Sequence, residues 1–386
     1  MRIRRLSAAA LVPVALMAVA VTSPEPRNGA SLAAVRDGPL SSELPGGLRR
    51  SRGPARYVSP EGSDRGPGSA TAPWRTIQHG VEEVRPGSVL VVRPGRYHET
   101  VEIERGGTRR RPVTIRGRPG AILLPRPGIG NRIPLKLGDG AHHIRIENLV
   151  IEGATGPATA NIYARGGAHH IDIVGCLVRN SQRQGLFSER TTRHIRVVRS
   201  VFRDNGGGGG ENLDHNLYLE GSHHLLAGSV VTAAPNGYGV QVYPVAADVV
   251  IASNTIVGNA ADGVIVGGDG DGAASGVRIV NNVIVGNGRH GVSSYWTSRT
   301  GAGNLVHDNL VWGNGGSQLT GDGLAFGHNI EERPEFVDPA RSDFRLRESS
   351  PAGDAALAAY TLSKDLRDVR RPQGEGPDVG AYETQP

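Results

Sequence analysis

The chain has 386 residues, 43 Lys plus Arg against 37 Asp plus Glu for a formal charge of +6, and one cysteine. A single thiol excludes an internal disulfide, so stability must come from a buried core, which this length can supply. Fifty-six glycines, 4% aromatic residues and no long helical period point to an all-β chain with frequent tight turns, and the net charge is too small to argue for nucleic acid.

Residues 1–20 read as an export signal. Arg2, Arg4 and Arg5 form a basic start, Ala8 to Val21 an apolar run, and Ala18-Val19-Ala20 a small-x-small cleavage site. The run is too short to span a bilayer, so the expectation is a secreted, soluble protein without a membrane span. Removing these three arginines, with no acid among them, leaves a charge of +3. Residues 21–54 lack periodicity and read as a flexible tether. Next come a strand and turn (Arg56-Tyr-Val-Ser-Pro-Glu-Gly-Ser-Asp), a short amphipathic helix within Pro73–Val84, and a first rung from Gly87 to Tyr97. Residues 93–132 hold ten arginines against three glutamates, a basic end suited to an acidic polymer or simply to solvent.

From Ala141 to Asn314 one phrase recurs: His143-Ile-Arg-Ile, His170-Ile-Asp-Ile, His194-Ile-Arg-Val and their successors. The first apolar positions, 144, 171, 195, 225, 249, 277 and 304, lie 27, 24, 30, 24, 28 and 27 residues apart. Such a unit closes a core only when stacked on its neighbours. Each unit carries three short strands, and parallel crossovers are right-handed. The predicted fold is a right-handed parallel β-helix of three sheets over residues 55–340, with a capping helix at its start and an irregular closing segment over 341–386. Capped ends imply a monomer.

The opening Tyr-Val-Ser-Pro-x-Gly-Ser-Asp, the first-rung Pro-Gly-x-Tyr-x-Glu, and the endings Ser-Pro-Ala-x-Asp-Ala and Asp-Val-Gly-Ala-Tyr-Glu resemble secreted bacterial right-handed parallel β-helix proteins of the pectate and alginate lyase superfamily. The resemblance covers residues 55–386 and implies the fold. The activities in that group range over lyases, epimerases, hydrolases and adhesins, so the reaction must be read from the site.

Adjacent rungs lie about 4.8 Å apart and stack equivalent residues into columns. His143, His170, His194 and His224, doubled by His142, His169 and His223, read as a structural corner in preference to a metal site. Asn148, Cys176, Ser200, Ser229, Asn254, Asn282 and Asn309 form a turn row that satisfies buried backbone groups, with Cys176 a spacer. Asn180, Asn205, Asn259, Asn287 and Asn314 form a second. The Gly267-Gly-Asp-Gly-Asp-Gly272 stretch has the alternating carboxylates of a calcium loop, Asp269 and Asp271, but no third acid close by. It reads first as a solvated turn, with calcium the candidate cofactor.

Function belongs where the pattern breaks. In the third strand set, alternation predicts an outward column Lys136, Tyr163, Phe187, Tyr218, Gln241, and two residues on, Arg165, Glu189, Glu220, Tyr243. Aromatics beside acids and an arginine suit a groove for an acidic polysaccharide. The densest stretch, Asp214-His-Asn-Leu-Tyr-Leu-Glu220, is expected to face Asp214, Asn216, Tyr218 and Glu220 outward, with His215 at a polar corner and the preceding glycine run overhanging the site. In β-elimination, His215 serves as base, Tyr218 or Tyr243 as acid, and Arg183 or Arg165 holds the uronate carboxylate. The related lyases often use lysine or arginine with calcium; here Lys136 is the sole lysine of the coil. In a hydrolase, Glu189, Glu220 and Asp214 supply the two carboxylates. Carbohydrate binding without catalysis is the third reading.

Overall fold

The computed structural model describes residues 47–128, 130–156, 160–209 and 214–385. The expected export signal and residues 21–46 of the expected tether lie outside them. Successive turns of the coil build three sheets, of eleven, nine and nine strands, parallel throughout except for the hairpin strand Gly272–Ala273 at one end of the third. The first sheet carries the His-Ile-x-Ile strands, such as His142–Glu147 and His169–Val174; the second carries Val150–Glu152, Leu177–Arg179 and their successors; the third carries Leu135–Leu137, Ala160–Ala164, Gln184–Ser188, Leu217–Leu219, Val240–Val242, Val264–Asp269 and Val292–Trp296. Inward residues form one continuous core: Ile144, Ile162, Ile171, Leu186, Leu217 and Val240 are fully buried. Among the described residues no helix is long and apolar enough to cross a membrane.

The N-terminal end is capped as expected, by α1 (Ile77–Glu83). Its first amides are satisfied by the Glu99 carboxylate, which accepts from Ile77 N and Gln78 N at 2.9 Å each, while the Thr76 hydroxyl accepts from His79 N. The expected tether does not run to residue 54. Leu48 is 6% exposed, its amide donates to Asp172 Oδ2 at 3.0 Å, and Arg50 pairs with the buried Glu147. The tether's end is thus strapped across the first sheet. The far end also differs from the expected closure. The last segment folds back along the flanks, Tyr360 against Ala252 and Val280 and Val379 against Val283 and Leu310, leaving Leu319, Leu324 and Phe326 of the last rung partly exposed. Arg371 locks this segment, donating to the carbonyls of Asp378 and Gly380 beside Glu383.

Three rows stand in a different register from the one expected. The stacked histidine column is His143, His170, His194 and His223, with ring centroids 4.7, 4.5 and 4.9 Å apart and every φ between 53° and 57°. His224 is not in it. Its neighbour Leu225 pairs with Arg196, which sets His224 opposite the inward Ile195, where it is buried and accepts Ile195 N through Nδ1. Likewise Asn148 and Asn180 sit at left-handed corners, φ 54° and 58°, one residue before the turn rows. The first row runs from Cys176 through Ser200, Ser229, Asn254, Asn282 and Asn309 to Asn329, each side chain from Ser200 onward accepting the backbone amide one rung back. Cys176 is the buried spacer, its thiol pushed up to about 11 by burial.

The histidine corner sets a pH limit. Burial, then neighbouring cations, holds His169 and His170 down to about 4, against an ordinary value of 6.5. A folded value below the unfolded one means that the unfolded chain takes up protons first as pH falls. This contribution is complete above pH 6.5 and is lost as pH falls towards 4. The melting temperature is expected to decline across that window, and the decline to flatten in His170→Asn, which keeps a residue tolerant of the left-handed corner; thermal melts from pH 7.5 to 4 measure it, and identical profiles would remove the corner as cause.

Candidate active site

The third sheet presents the expected outward column. Register pairs Glu102 with Lys136, Lys136 with Tyr163, Tyr163 with Phe187, Phe187 with Tyr218 and Tyr218 with Gln241. One residue of this type per rung packs ring on ring: Tyr163 and Phe187 stack at 5.4 Å and 6°, Phe187 and Tyr218 at 5.0 Å and 27°. The result is an aromatic platform three rungs long.

Carboxylates line one side of it. Glu189 follows strand Gln184–Ser188 and Glu220 follows Leu217–Leu219, on neighbouring rungs. Glu189 accepts the Tyr163 hydroxyl and, at 3.3 Å, the amide of Gly166. Burial, with Glu189 next, pushes the Tyr163 phenol up to about 12. The Glu220 carboxyl is raised, first by burial, against the pull of Arg190, with Glu189 adding repulsion. Tyr218 is raised too, by burial and then by Glu220, so its phenol stays protonated. At one end Glu102 holds Arg165 at 2.8 Å and Lys136 at 3.9 Å. At the other stand Tyr243, half-buried, and Tyr295, 57% exposed.

Three expected groove residues are turned inward. Alternation fails before Leu217 because residues 214–216 form the corner of the rung and not its strand. Asn216, fully buried, fills a gap in the second asparagine ladder: the ladder residue of its rung is Ala234, and Asn216 accepts from Asn205 Nδ2 and donates to Asn259 Oδ1, each at 2.9 Å. Asn161 fills a like gap two rungs back, where the ladder residue is Ser181, and donates to Asn205 Oδ1 at 3.1 Å. Asp214 is buried against Arg183, 2.8 Å from its guanidinium, which ties both to the corner. His215 has no exposed surface; its ring stacks on Tyr238 at 4.7 Å and its Nδ1 accepts the Tyr238 amide at 3.1 Å. His290 uses Nδ1 identically, on Ser317 N, so this polar column stitches rungs together. His215 is therefore not brought to the groove, and Asp214 does not join Glu189 and Glu220.

The Gly267–Gly272 stretch is the tip of a β-hairpin, Gly268 pairing with Ala273 and Asp269 with Gly272. Its carboxylates do not converge. Asp269 accepts the Asp271 amide at 2.9 Å, and Asp271 reaches Arg190 at 3.0 Å. Among the described residues no group of three or more His, Cys, Asp or Glu is arranged to hold a metal. This donor set does not fit calcium. Of the glycine run, Gly206 to Gly208 are tied to Ser181 and Gln182 carbonyls; residues 210–213 lie outside the described residues.

Arg190 and Glu102 are site residues that strand alternation missed. Arg190 falls in the turn directly after Glu189, where alternation has no authority. Glu102 was visible in principle, since Val101-Glu-Ile103 extends the outward column one rung towards the N-terminus.

A solenoid of stacked parallel rungs with an aromatic and acidic stripe on one sheet defines a class, and comparison places the chain within it. The chain belongs to the right-handed beta-helix region family, whose model matches residues 137–329. It is 34% identical over 125 residues to the uncharacterized protein YwoF of Bacillus subtilis, covering 30% of this chain and 27% of that protein. It is 38% identical over 70 residues to pectate lyase PEL9 of Emericella nidulans, 18% of this chain and 17% of that one. The matches thus span about a quarter or less of either relative's length. The crystal structure of pectate lyase Pel9A superposes with a TM-score of 0.62 at 16% identity, covering 90% of this chain and 100% of that one; that likeness shows the fold.

Proposed function

We propose that this protein is a secreted carbohydrate-active enzyme that lays a polysaccharide on the Tyr163–Phe187–Tyr218 platform and cleaves a glycosidic bond beside it. The observation that carries the reading is two carboxylates on adjacent rungs in unlike environments: Glu220 raised by burial, Glu189 held by the Tyr163 hydroxyl and the Gly166 amide. Two carboxylates in such unlike surroundings can supply an acid and a base or nucleophile. The charge of the face agrees. Glu102, Glu189, Glu220, Asp269 and Asp271 outnumber Lys136, Arg165 and Arg190, each of which already has a carboxylate partner, an arrangement that favours a neutral or sparsely charged glycan here.

The second reading is β-elimination on an acidic polysaccharide, favoured by the similarity to pectate lyase PEL9. In it Lys136 and Arg165 would hold the uronate carboxylate and Tyr218, which stays protonated, would give its proton to the leaving oxygen. His215 offers no base for it. Incubating the purified protein with pectate, alginate, glycosaminoglycans and neutral glycans separates the readings. New reducing ends without ultraviolet absorbance are expected. An unsaturated, absorbing product would establish elimination instead, and binding without either signal would sink both. N-terminal sequencing of protein recovered from culture medium tests export.

A further inference from the structure

One arginine stands between the site and the hairpin. Arg190 Nη2 lies 3.0 Å from Asp271 and its Nε 4.0 Å from Glu220. Glu189 and Glu220 occupy successive rungs, Tyr243 the next and Gly267 the one after, so Asp271 reaches back three rungs to meet Arg190, about 14 Å at the usual spacing. The hairpin rests on the intervening rung. A Cβ on Gly267 would meet the Tyr243 ring at 2.8 Å, and one on Gly272 would meet Val245 Cγ1 at 2.5 Å. The absence of side chains at these two positions is what lets the hairpin lie flat against the sheet. Its tip remains exposed, Asp271 by 63% and Arg190 by 50%, and an exposed pair is weak enough to open.

We propose that Arg190 is a positioning residue shared between hairpin and site: Asp271 holds its Nη2 on the hairpin side, and when the hairpin lifts, the guanidinium closes on Glu220 and favours its ionised form. This rests on the reading of Glu220 as the acid. Asp271 thus acts at a distance, by occupying a cation that would otherwise disarm the acid. The other titratable groups facing Glu220 are Glu189 and Tyr218, with Tyr163 behind Glu189 and Tyr243 and Asp269 on the hairpin side. Those groups are anionic or neutral, so Arg190 is the group through which the hairpin can stabilise the ionised form.

The test is a titration of the Glu220 carboxyl by NMR on glutamate-labelled protein, its signal identified by its loss in Glu220→Gln. Asp271→Asn is expected to lower the Glu220 midpoint by about one pH unit, as expected for a carboxylate gaining a close guanidinium, and Asp271→Glu to restore it. Arg190→Gln is expected to raise it. The decisive variant is the double one: in the Arg190→Gln background Asp271→Asn should move the midpoint by less than about a third as much, a coupling that a double-mutant cycle reads directly. An equal shift in both backgrounds would mean plain loss of a distant negative charge and would overturn the proposal, as would no shift from Asp271→Asn alone. Because the readout needs no substrate, failure to cleave any glycan would count against the assigned reaction and not against the coupling.

Discussion

Asn282→Ala is expected to destabilise the protein by about 4 kcal/mol, seen as a lower urea midpoint with an unchanged slope. Asn282 is fully buried. Its Oδ1 accepts from the amide and the side chain of Asn254, and its Nδ2 donates to Ile251 O, Val280 O and Asn309 Oδ1, all at 2.8 to 3.0 Å. Alanine removes these five bonds and strands donors and acceptors where water cannot reach them, so the cost exceeds the net value of any one bond. The same substitution at exposed Asn180 should cost about 1 kcal/mol, because there the asparagine only tolerates a positive φ. A loss at position 282 no larger than at 180 would show that the ladder adds little to stability.

That contrast also marks how far the sequence could be read. The period and strand alternation depend on inward side chains, and since a rung must bury them the pattern is strict: Ile144, Ile171 and Ile195 stack as expected. Corners obey a different rule. There, two polar residues in succession occupy a left-handed position and a ladder position, and either order looks the same in a list of asparagines and histidines. Asn180 and His224 each lie one place from the expected register for that reason, and Asn148 does so because the ladder position of its rung is taken by the apolar Leu149. Asn216 shows the harder case. It looks like a groove residue on a strand, yet it completes a ladder whose own residue is Ala234, and only the three-dimensional gap explains why an asparagine stands there. The platform was legible because it lies in mid-strand, from Tyr163 to Tyr218. Arg190 was not, because its role depends on a hairpin 81 residues away.

Glu220→Gln is expected to reduce kcat on a cleavable glycan about 1000-fold, with KM changed little, because proton transfer by a placed carboxyl is worth roughly that factor. Glu189→Gln should fall similarly, whereas Phe187→Ala should raise KM about tenfold with kcat nearly intact, since losing one stacked ring removes binding common to ground and transition states. The pH dependence follows from the raised Glu220 carboxyl. An acid must hold its proton to donate it, so the rate should fall as pH rises through this value, and the raised value carries activity to higher pH than an ordinary glutamate would. Glu220→Gln should lose that limb altogether, because glutamine does not titrate. Rates measured across pH for the wild type and both glutamine variants decide the assignment: a Glu220→Gln enzyme that keeps both its rate and its pH limb would place the acid elsewhere on the platform, with Tyr218, protonated and next to Glu220, the group to substitute next.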